Sequence, residues 1–339
     1  MIKKIKKIIK SDLVKVFSFT GLSTLIKLIT GYVTVKFVAS IIGPSGIALI
    51  GQLQNFSAIF TTLGAGGINN GVVKYVSENK EVDSELQKYL RNGFKITIYF
   101  YFFFGFLLIL LSTDLSKLIL LDVQYNYVFI CFGVSLLLIS LNNYFLSILN
   151  GFKEFKKFVL INIITSLLGL IFTVSLVLLF QLKGALIATV SYQGVVVFIT
   201  IYYLKKTSWF SAKMLWGVWN KDIVKKYFSY SLMAFVSAAT QPVSQLLVRG
   251  FIIKNYSIES AGFWEGMNRI SGLYLLFVTT SFSVYYLPKL SEIRNDKILK
   301  SEIIKTYKLM IPIVALSLLF VFLLKDIVIN ILFTEEFYP

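Results

Sequence analysis

Long apolar stretches alternate with short polar gaps along this chain of 339 residues. Ten of the stretches are predicted to be helices, at about 14–42, 46–73, 94–112, 125–149, 158–180, 184–204, 227–253, 258–288, 306–324 and 326–335. A bilayer core of about 30 Å requires about 20 helical residues, and most of the stretches reach that length. The pattern therefore predicts an all-α, polytopic membrane protein, with tight external turns at Gly43–Pro44 and Gln181–Lys183.

Lysine and arginine are concentrated in every second gap between these stretches. Of the 34 basic residues, 26 lie in five alternate flanks, at 1–15, 74–95, 153–157, 205–226 and 289–308. Because Lys and Arg near short loops resist translocation, this asymmetry predicts a cytoplasmic N-terminus and a crossing at every stretch. The net charge of +17 is then a signal of topology and of contact with anionic lipid heads, and no nucleic-acid partner is expected.

The composition excludes several kinds of chemistry. The chain has no histidine, and its one cysteine, Cys131, lies in an apolar run, so a disulfide framework, the usual zinc sites and Ser-His-Asp catalysis are excluded. A membrane-embedded glycosyltransferase or polymerase would need a large external loop or paired acidic residues at an interface. The longest external gap is only 113–124, so we expect a transporter with no cofactor and no metal, rather than an enzyme.

Three pairs of segments repeat at nearly the same sequence separation: FSFTGLSTLIKLITGYV with FSYSLMAFVSAATQPVS, SGIALIGQLQNF with AGFWEGMNRISG, and VKYVSE with LPKLSE. An even number of crossings separates the repeats, so the pseudo-twofold axis is predicted to run along the membrane normal. The predicted units are an N-terminal six-helix bundle (1–204), a cytoplasmic interfacial linker (205–226) and a C-terminal bundle (227–339). This last bundle contains four of six helices, so ten helices are expected here and two more beyond residue 339.

The linker combines aromatic and basic side chains. Trp209, Trp216 and Trp219 interleave with four lysines within 205–221. Aromatic rings and lysines on one short segment are typical of a helix lying in the membrane interface. We therefore predict an interfacial helix here and no binding site.

Lys27 is the deepest charge of the first stretch. A charge at mid-bilayer depth costs at least about 2.5–3.5 kcal/mol, so it marks a functional residue by default. It shares one helical face with small polar residues, namely Thr20, Ser23, Thr24, Thr30, Gly31 and Thr34. We predict that this face lines a water-filled cavity; the alternative is a structural pair of Lys27 with a carboxylate. Lys36 lies nine residues on, where it either faces the same cavity or extends to the outer boundary.

The seventh and eighth stretches carry further polar groups. Gln241, Gln245 and Arg249 recur every four residues, next to Pro242, which is expected to kink the helix. Arg249 either faces the cavity or extends to the outer boundary.

Glu265 and Arg269 are four residues apart on one face of the eighth stretch, with Asn268 beside them. They form either an ion pair that permits insertion or a protonatable coupling site at Glu265. The second stretch adds Gln52, Gln54 and Asn55, followed by the glycine-rich GAGGINNG, whose glycines are expected to allow close helix packing.

The polar groups predicted to lie deep in the membrane are cations, amides and hydroxyls, with a single carboxylate. Cations recognise phosphate, Arg through bidentate contacts and Lys as a point charge. Amides and hydroxyls suit sugars. This combination favours a substrate with a pyrophosphate, a glycan and a lipid tail, whereas a cationic drug would require several buried carboxylates.

The whole chain resembles the Wzx-type O-antigen or enterobacterial-common-antigen (lipid III) flippases, which belong to the multidrug/oligosaccharidyl-lipid/polysaccharide (MOP) superfamily. The segments that carry the resemblance are STLIKLITGYVTVKFVA, GPSGIALIGQLQNF, GAGGINNGVVKYV, QPVSQLLVRGF and SFSVYYLPKLSEI. The resemblance implies two six-helix bundles around a central cationic cavity, to which Lys27, Lys36 and Arg249 would contribute. Arg269 is expected to add a further cation to this cavity. Amide residues of the wall would contact the glycan, namely Gln52, Asn55, Gln241, Gln245 and Asn268.

The resemblance further implies the substrate and the location. A monomer would move undecaprenyl-pyrophosphate-linked oligosaccharide across the bacterial inner membrane by alternating access, in contact with membrane lipids and with other proteins of O-antigen assembly. A multidrug exporter or a lipid II flippase of the same superfamily is the alternative. Buried carboxylates would favour the exporter, and more than twelve helices would favour the lipid II flippase.

Overall fold

The computed structural model describes residues 12–79, 81, 83–281 and 296–323, together with Phe333 and Phe337. Most of these residues are helical, in α1 (Asp12–Gly64), α2 (Asn69–Asn79), α3 (Asp83–Leu110), α4 (Ser112–Ile119), α5 (Asn126–Gly151), α6 (Phe155–Val195), α7 (Val197–Lys205), α8 (Lys221–Asn255), α9 (Ile258–Ser281) and α10 (Asp296–Leu323). Two short 3-10 helices, Val123–Tyr125 and Ala212–Leu215, lie in the connections. The predicted all-α class is confirmed.

The two longest helices, α1 and α6, are interrupted by residues with non-helical dihedral angles. Gly43 has φ 64° and ψ −173°, and Pro44 after it lacks the N–H that would continue the hydrogen-bond ladder. In α6 the interruption is Gln181, with φ 47° and ψ −127°. Each helix is therefore a hairpin of two arms, and both predicted turns are confirmed. Their external side remains a prediction.

The two arms of α6 are in direct contact beyond their turn. A Cβ atom placed on Gly184 would lie 1.9 Å from the carbonyl oxygen of Leu176, so only glycine permits this approach. The predicted sixth stretch, 184–204, corresponds to the second arm of α6 continued by α7.

In the part of the chain that the structure describes, five segments are long and apolar enough to cross a membrane: Gly21–Gly64, Ser84–Leu110, Val123–Gly151, Phe155–Lys205 and Lys221–Asn255. The first has 44 residues and the fourth has 51, more than twice the roughly 20 that one crossing needs. Because both contain a chain reversal, each crosses twice. Large apolar side chains such as Phe103, Phe106 and Leu179 are exposed on the outside of the bundle, as expected for a surface that faces lipid.

The second predicted stretch, 46–73, is wrong at its end. Helix α1 stops at Gly64, because Gly66 and Gly67 adopt left-handed φ values of 69° and 65°, and the short helix α2 follows. Close packing at these glycines is also observed, since a Cβ on Gly67 would lie 3.1 Å from the backbone of Ser231 in α8. The glycine-rich segment therefore both breaks a helix and admits a neighbouring one.

The interfacial helix predicted within 205–226 is also wrong. Only Ala212–Leu215 forms a 3-10 helix there, and α8 begins at Lys221. The connection is held instead by hydrogen bonds to α3: Lys95 Nζ donates to the carbonyl oxygen of Gly217 at 2.5 Å, and the backbone N–H of Asn220 donates to Asn92 Oδ1 at 2.9 Å. These tertiary contacts replace the helical hydrogen bonds that the sequence pattern suggested.

The N-terminal helices α1, α3, α5 and α6 pack around a shared apolar core, and α8 and α9 pack on the second arm of α1 and its turn. The predicted tenth stretch, 326–335, lies outside the described residues except for Phe333. The division into two bundles and the pseudo-twofold axis remain predictions.

The contact between α9 and the α1 turn yields a stability test. A Cβ on Gly262 would lie 2.1 Å from the carbonyl oxygen of Pro44, whereas one on Gly272, in the same helix, would meet no atom of a described residue within 4 Å. Gly262→Ala should lower stability by about 1–3 kcal/mol through overpacking, and Gly272→Ala should not. The measurement is the midpoint of thermal aggregation in detergent. Equal midpoints for the two variants would show that α9 does not press on the turn.

Candidate functional site

A cavity of about 870 Å³ opens between the two arms of α1 and the helices α5 and α6. Hydroxyl and amide side chains form most of its polar wall: Ser23, Thr24, Thr30, Thr34, Gln54, Ser57, Thr61, Asn142, Asn143, Asn162, Thr165, Ser166, Thr173, Thr189, Tyr192 and Gln193. Two cations, Lys27 and Arg269, also line it. Among the described residues, no carboxylate lines this cavity.

The first arm of α1 presents its predicted polar face to this cavity. Residues at helical spacing, from Ser23 through Lys27 to Thr34, lie on the wall. The hydroxyls of Thr30 and Thr34 donate to the carbonyl oxygens of Ile26 and Thr30, at 2.8 and 2.7 Å, so neither hydroxyl lacks a partner in the membrane. The face thus lies on the cavity wall, although the side chain of Thr20 lies outside the described residues. That water fills the cavity and that this face binds substrate remain predictions.

Lys27 is exposed on the cavity wall. Within the described ranges, no carboxylate oxygen lies within 4.0 Å of its Nζ atom. The described structure therefore gives no support to the alternative in which Lys27 is a structural ion pair.

The wall opposite α1 was not predicted from the sequence. On the first arm of α6, five lining residues recur at helical spacing: Asn162, Thr165, Ser166, Gly169 and Thr173. On α5, Asn142 is almost fully buried and its Oδ1 accepts a hydrogen bond of 2.6 Å from the hydroxyl of Thr200 in α7. The same search for polar stripes that identified the Lys27 face would have found the α6 stripe.

A second polar feature, the ion cluster, lies beside the cavity and consists of Arg249, Glu265, Arg269, Gln52 and Gln54. Arg249 is 1% exposed. Its Nη1 donates to Gln52 Oε1 at 2.9 Å, and its Nη2 donates to Glu265 Oε2. Arg249 is thus enclosed between α8, α9 and the second arm of α1, and it does not line the cavity.

Arg269 belongs to both features. It lines the cavity, and its Nε donates to Glu265 Oε1 at 2.9 Å while its Nη2 donates to Gln54 Oε1 at 2.9 Å. The predicted ion pair between Glu265 and Arg269 is therefore confirmed. With two arginines around one carboxylate, the cluster holds one surplus positive charge.

Gly51 provides the space for the carboxylate. A Cβ at this position would lie 2.6 Å from Glu265 Cδ, so any larger residue would displace the acidic side chain. No pattern in the sequence indicates this role, because a glycine within a helix does not reveal which distant side chain lies against it.

The structure separates the predicted site residues into groups. Only Lys27 and Arg269, of the four predicted cations, line the cavity. Lys36 is exposed and lies half a turn from Lys27, because nine residues at 100° each place the two on opposite faces. The predicted amide residues do not line the cavity. Gln52 belongs to the ion cluster, and Asn268 Nδ2 donates to Gln245 Oε1 at 3.0 Å. Gln241 is exposed, and Asn55 is half-buried.

The position of the α6 stripe can be tested with two adjacent cysteines. Ser166 lines the cavity, whereas Leu167 is exposed on the outer surface of the helix. With Cys131→Ser as background, Ser166→Cys should react with a charged methanethiosulfonate reagent in membranes, because water reaches the cavity. Leu167→Cys, facing hydrocarbon, should react at least about tenfold more slowly, because the thiolate is the reactive form and is disfavoured there. Equal rates at the two positions would contradict the described cavity.

The fold and the polar cavity define the class of the protein, a polytopic membrane transporter. The fold is similar to the inward-facing conformation of a multidrug resistance MATE family transporter of the MOP superfamily, with a TM-score of 0.68. That transporter is 14% identical, and the match covers 90% of this chain and 72% of that one. The chain belongs to the family of polysaccharide biosynthesis proteins, whose sequence profile matches residues 13–294.

Two relatives within this class are named lipid III flippases. Those of Escherichia coli (strain K12) and Shigella flexneri are each 27% identical to this chain over 326 residues, which are 96% of this chain and 78% of theirs. These matches confirm the resemblance found in the sequence segments, and they favour a transporter over an enzyme.

Proposed function

We propose that this protein is a flippase for an undecaprenyl-pyrophosphate-linked oligosaccharide, such as an O-antigen or common-antigen repeat unit. It would carry its substrate from the cytoplasmic to the periplasmic leaflet of the bacterial inner membrane, with its N-terminus in the cytoplasm. The observation that carries this proposal is a cavity with two cations, many hydroxyls and amides, and no carboxylate among its described lining residues. The names of the relatives support the class of substrate.

The pyrophosphate is assigned to Lys27 and Arg269. A charge in a cavity of lower dielectric than water interacts with an anion several times more strongly than it does at the surface. Arg269 already uses Nε and Nη2, but its Nη1 makes no hydrogen bond to any described residue. Nη1 is therefore the group that can donate to a phosphate oxygen, and Lys27 supplies the second charge.

The glycan is assigned to the amide-rich wall of α5 and α6. Asn143, Asn162 and Gln193 each offer a donor and an acceptor, which matches the mixed hydroxyl and acetamido groups of a sugar. The cavity volume of about 870 Å³ is within the range of about 300–1,000 Å³ typical of ligand pockets. Sugars would thus exchange hydrogen bonds with water for hydrogen bonds with this wall.

The polyprenyl tail is proposed to stay in the bilayer. The first arm of α1 carries exposed apolar residues on its other face, namely Leu22, Leu25, Ile29 and Val33. One helix therefore separates a polar cavity from a surface suited to hydrocarbon. This arrangement allows the head group to cross while the tail never leaves the apolar phase.

The two alternative functions, drug export and lipid II flipping, are weighed by the charge that the substrate needs in the cavity and by the names of the relatives. A cationic drug would require a carboxylate in the cavity, whereas Glu265 is outside it and is already bound by two arginines. A lipid II flippase would need the same anion site, and the relatives named lipid III flippases favour the glycan of that class. Function as a monomer and contact with other assembly proteins are part of the proposal.

Substitutions of Lys27 test the anion site in cells. Lys27→Ala should remove most of the surface glycan display, because the dianion loses one of its two counter-charges in the cavity. Lys27→Arg should retain part of the activity, and Lys27→Glu should be worse than alanine through repulsion. The measurement is glycan display in a flippase-deficient strain, normalised to the amount of inserted protein.

Lys36→Ala and Lys254→Ala provide matched controls. Both lysines are exposed, and neither lines the cavity, so each substitution should reduce display much less than Lys27→Ala does. Display at the unmutated level in Lys27→Ala would overturn the assignment of the pyrophosphate to this residue.

A further inference from the structure

Three residues of the ion cluster, Gln52, Arg249 and Glu265, lie at one depth, close to the external ends of three helical segments. Gln52 is eight residues after the start of the second arm of α1, Arg249 is six residues before the end of α8, and Glu265 is seven residues after the start of α9. At 1.5 Å per residue, all three lie about 9–12 Å from the same end of the bundle. This end is opposite the basic flanks, so it is the external end.

The cluster joins two parts of the chain that are distant in sequence. Gln52 and Gln54 belong to the N-terminal part, whereas Arg249, Glu265 and Arg269 belong to α8 and α9. The bond from Arg249 to Gln52 and the bond from Arg269 to Gln54 both cross between these parts. Together with the contact of Gly262 on the α1 turn, they hold the external ends closed.

The buried contact of Arg249 with Gln52 is strong, but one of the hydrogen-bond donors of Arg249 has no partner among the described residues. Arg249 and Glu265 would stay paired if the two parts separated, but the buried Arg249 would lose Gln52, the partner of its Nη1. Leaving a donor of a buried charge without a partner is costly, so the closed arrangement resists partial opening. However, the Nε atom of Arg249 is buried and has no hydrogen-bond partner among the described residues. That unsatisfied donor costs free energy in the closed state and is relieved when water enters.

Arg269 connects the cluster to the cavity. Its Nε and Nη2 are engaged by Glu265 and Gln54, while the same guanidinium lines the cavity. An anion in the cavity would neutralise the surplus positive charge of the cluster and compete with Glu265 for this guanidinium. If Arg269 turns to the anion, Glu265 loses one of its two donors and Gln54 loses its contact across the interface.

We infer that Arg249, Glu265 and Gln52 form an external latch between the two parts of the chain, and that Arg269 releases it when an anion occupies the cavity. The second half of this inference rests on the proposed function. It adds a reason for the external end to stay closed while the cavity is empty. Opening is then linked to the charge of the substrate.

The test uses the full chain with Cys131→Ser, spin-labelled at cysteines replacing Ser40 and Tyr256. Both positions are exposed near external helix ends, on α1 and directly after α8. The distance between the labels is measured by pulsed electron paramagnetic resonance in detergent. Inorganic pyrophosphate is the probe, and its binding is titrated in parallel by calorimetry.

Without pyrophosphate, breaking the latch should lengthen the distance between the labels. Arg249→Gln removes the central charge, and Gly51→Ala displaces Glu265 while leaving every charge in place. Lys254→Gln removes an exposed charge from the same helix as Arg249 and should leave the distance unchanged. If Arg249→Gln does not fold, Gly51→Ala carries this part of the test. If Arg249→Gln and Gly51→Ala fold and keep the distance distribution of the parent, the proposed latch does not exist.

With saturating pyrophosphate, the parent should shift toward the longer distance. Lys27→Gln should weaken pyrophosphate binding by about tenfold to a hundredfold, the range expected for the loss of one charge-assisted hydrogen bond. At saturating pyrophosphate, the distance between the labels in this variant should still lengthen. Arg269→Gln lacks the bonds to Glu265 and Gln54 that the anion would break, so its labels should already be farther apart than in the parent without pyrophosphate. Pyrophosphate should still bind to this variant through Lys27, but it should cause no further lengthening.

Three outcomes would contradict the release mechanism. A pyrophosphate-dependent lengthening in Arg269→Gln equal to that of the parent would show that Arg269 is not the link. Binding without any lengthening in the parent would show that the latch does not respond to the cavity. Failure of the parent to bind pyrophosphate would count against both the anion site and its link to the latch, while the measurements without pyrophosphate would still decide whether the latch exists.

Discussion

The high free energy of an unpaired charge in hydrocarbon is the constraint on which the rest of this structure depends. The chain satisfies it in two ways. Lys27 is placed on a wall that borders a polar cavity, and Arg249 is enclosed with Glu265 and Gln52 where three helical segments meet. Arg269 combines both solutions, because it lines the cavity and binds Glu265.

These placements also determine what the cavity can accept. The single carboxylate of the ion cluster is occupied by two arginines, so the charges that border the cavity in the described residues are positive. The surrounding amides and hydroxyls bind neutral polar groups without adding charge. A head group that combines an anion with sugars therefore fits this cavity, because the cations can bind the anion and the amides and hydroxyls can bind the sugars.

The helical pattern of the sequence predicted the features that depend on one segment alone. The turns at Gly43–Pro44 and Gln181, the polar face around Lys27 and the pairing of Glu265 with Arg269 follow from local spacing and local backbone chemistry. Helical periodicity shows which residues share a face, and it does not show which distant face lies opposite.

The features that were not predicted depend on such distant contacts. The sequence predicts Arg249 as a cavity cation together with Lys27. In the structure Arg249 is instead buried against Gln52, which is 197 residues away in the sequence. The fit of Gly51 to Glu265 and the hydrogen bonds that hold the linker to α3 have the same origin. The amide stripe on α6 is different, because its helical spacing is visible in the sequence.

The most direct test of the anion-binding cavity is transport by the purified protein in liposomes. Two fluorescent polyprenyl-linked disaccharides would be compared, one joined through pyrophosphate and one through a neutral linkage, with a membrane-impermeant quencher reporting the label that reaches the opposite leaflet. Protein-free liposomes give the background for each lipid. The account predicts that only the pyrophosphate-linked lipid crosses faster than background. Equal protein-dependent crossing of the neutral lipid would contradict the claim that cations in the cavity select the substrate.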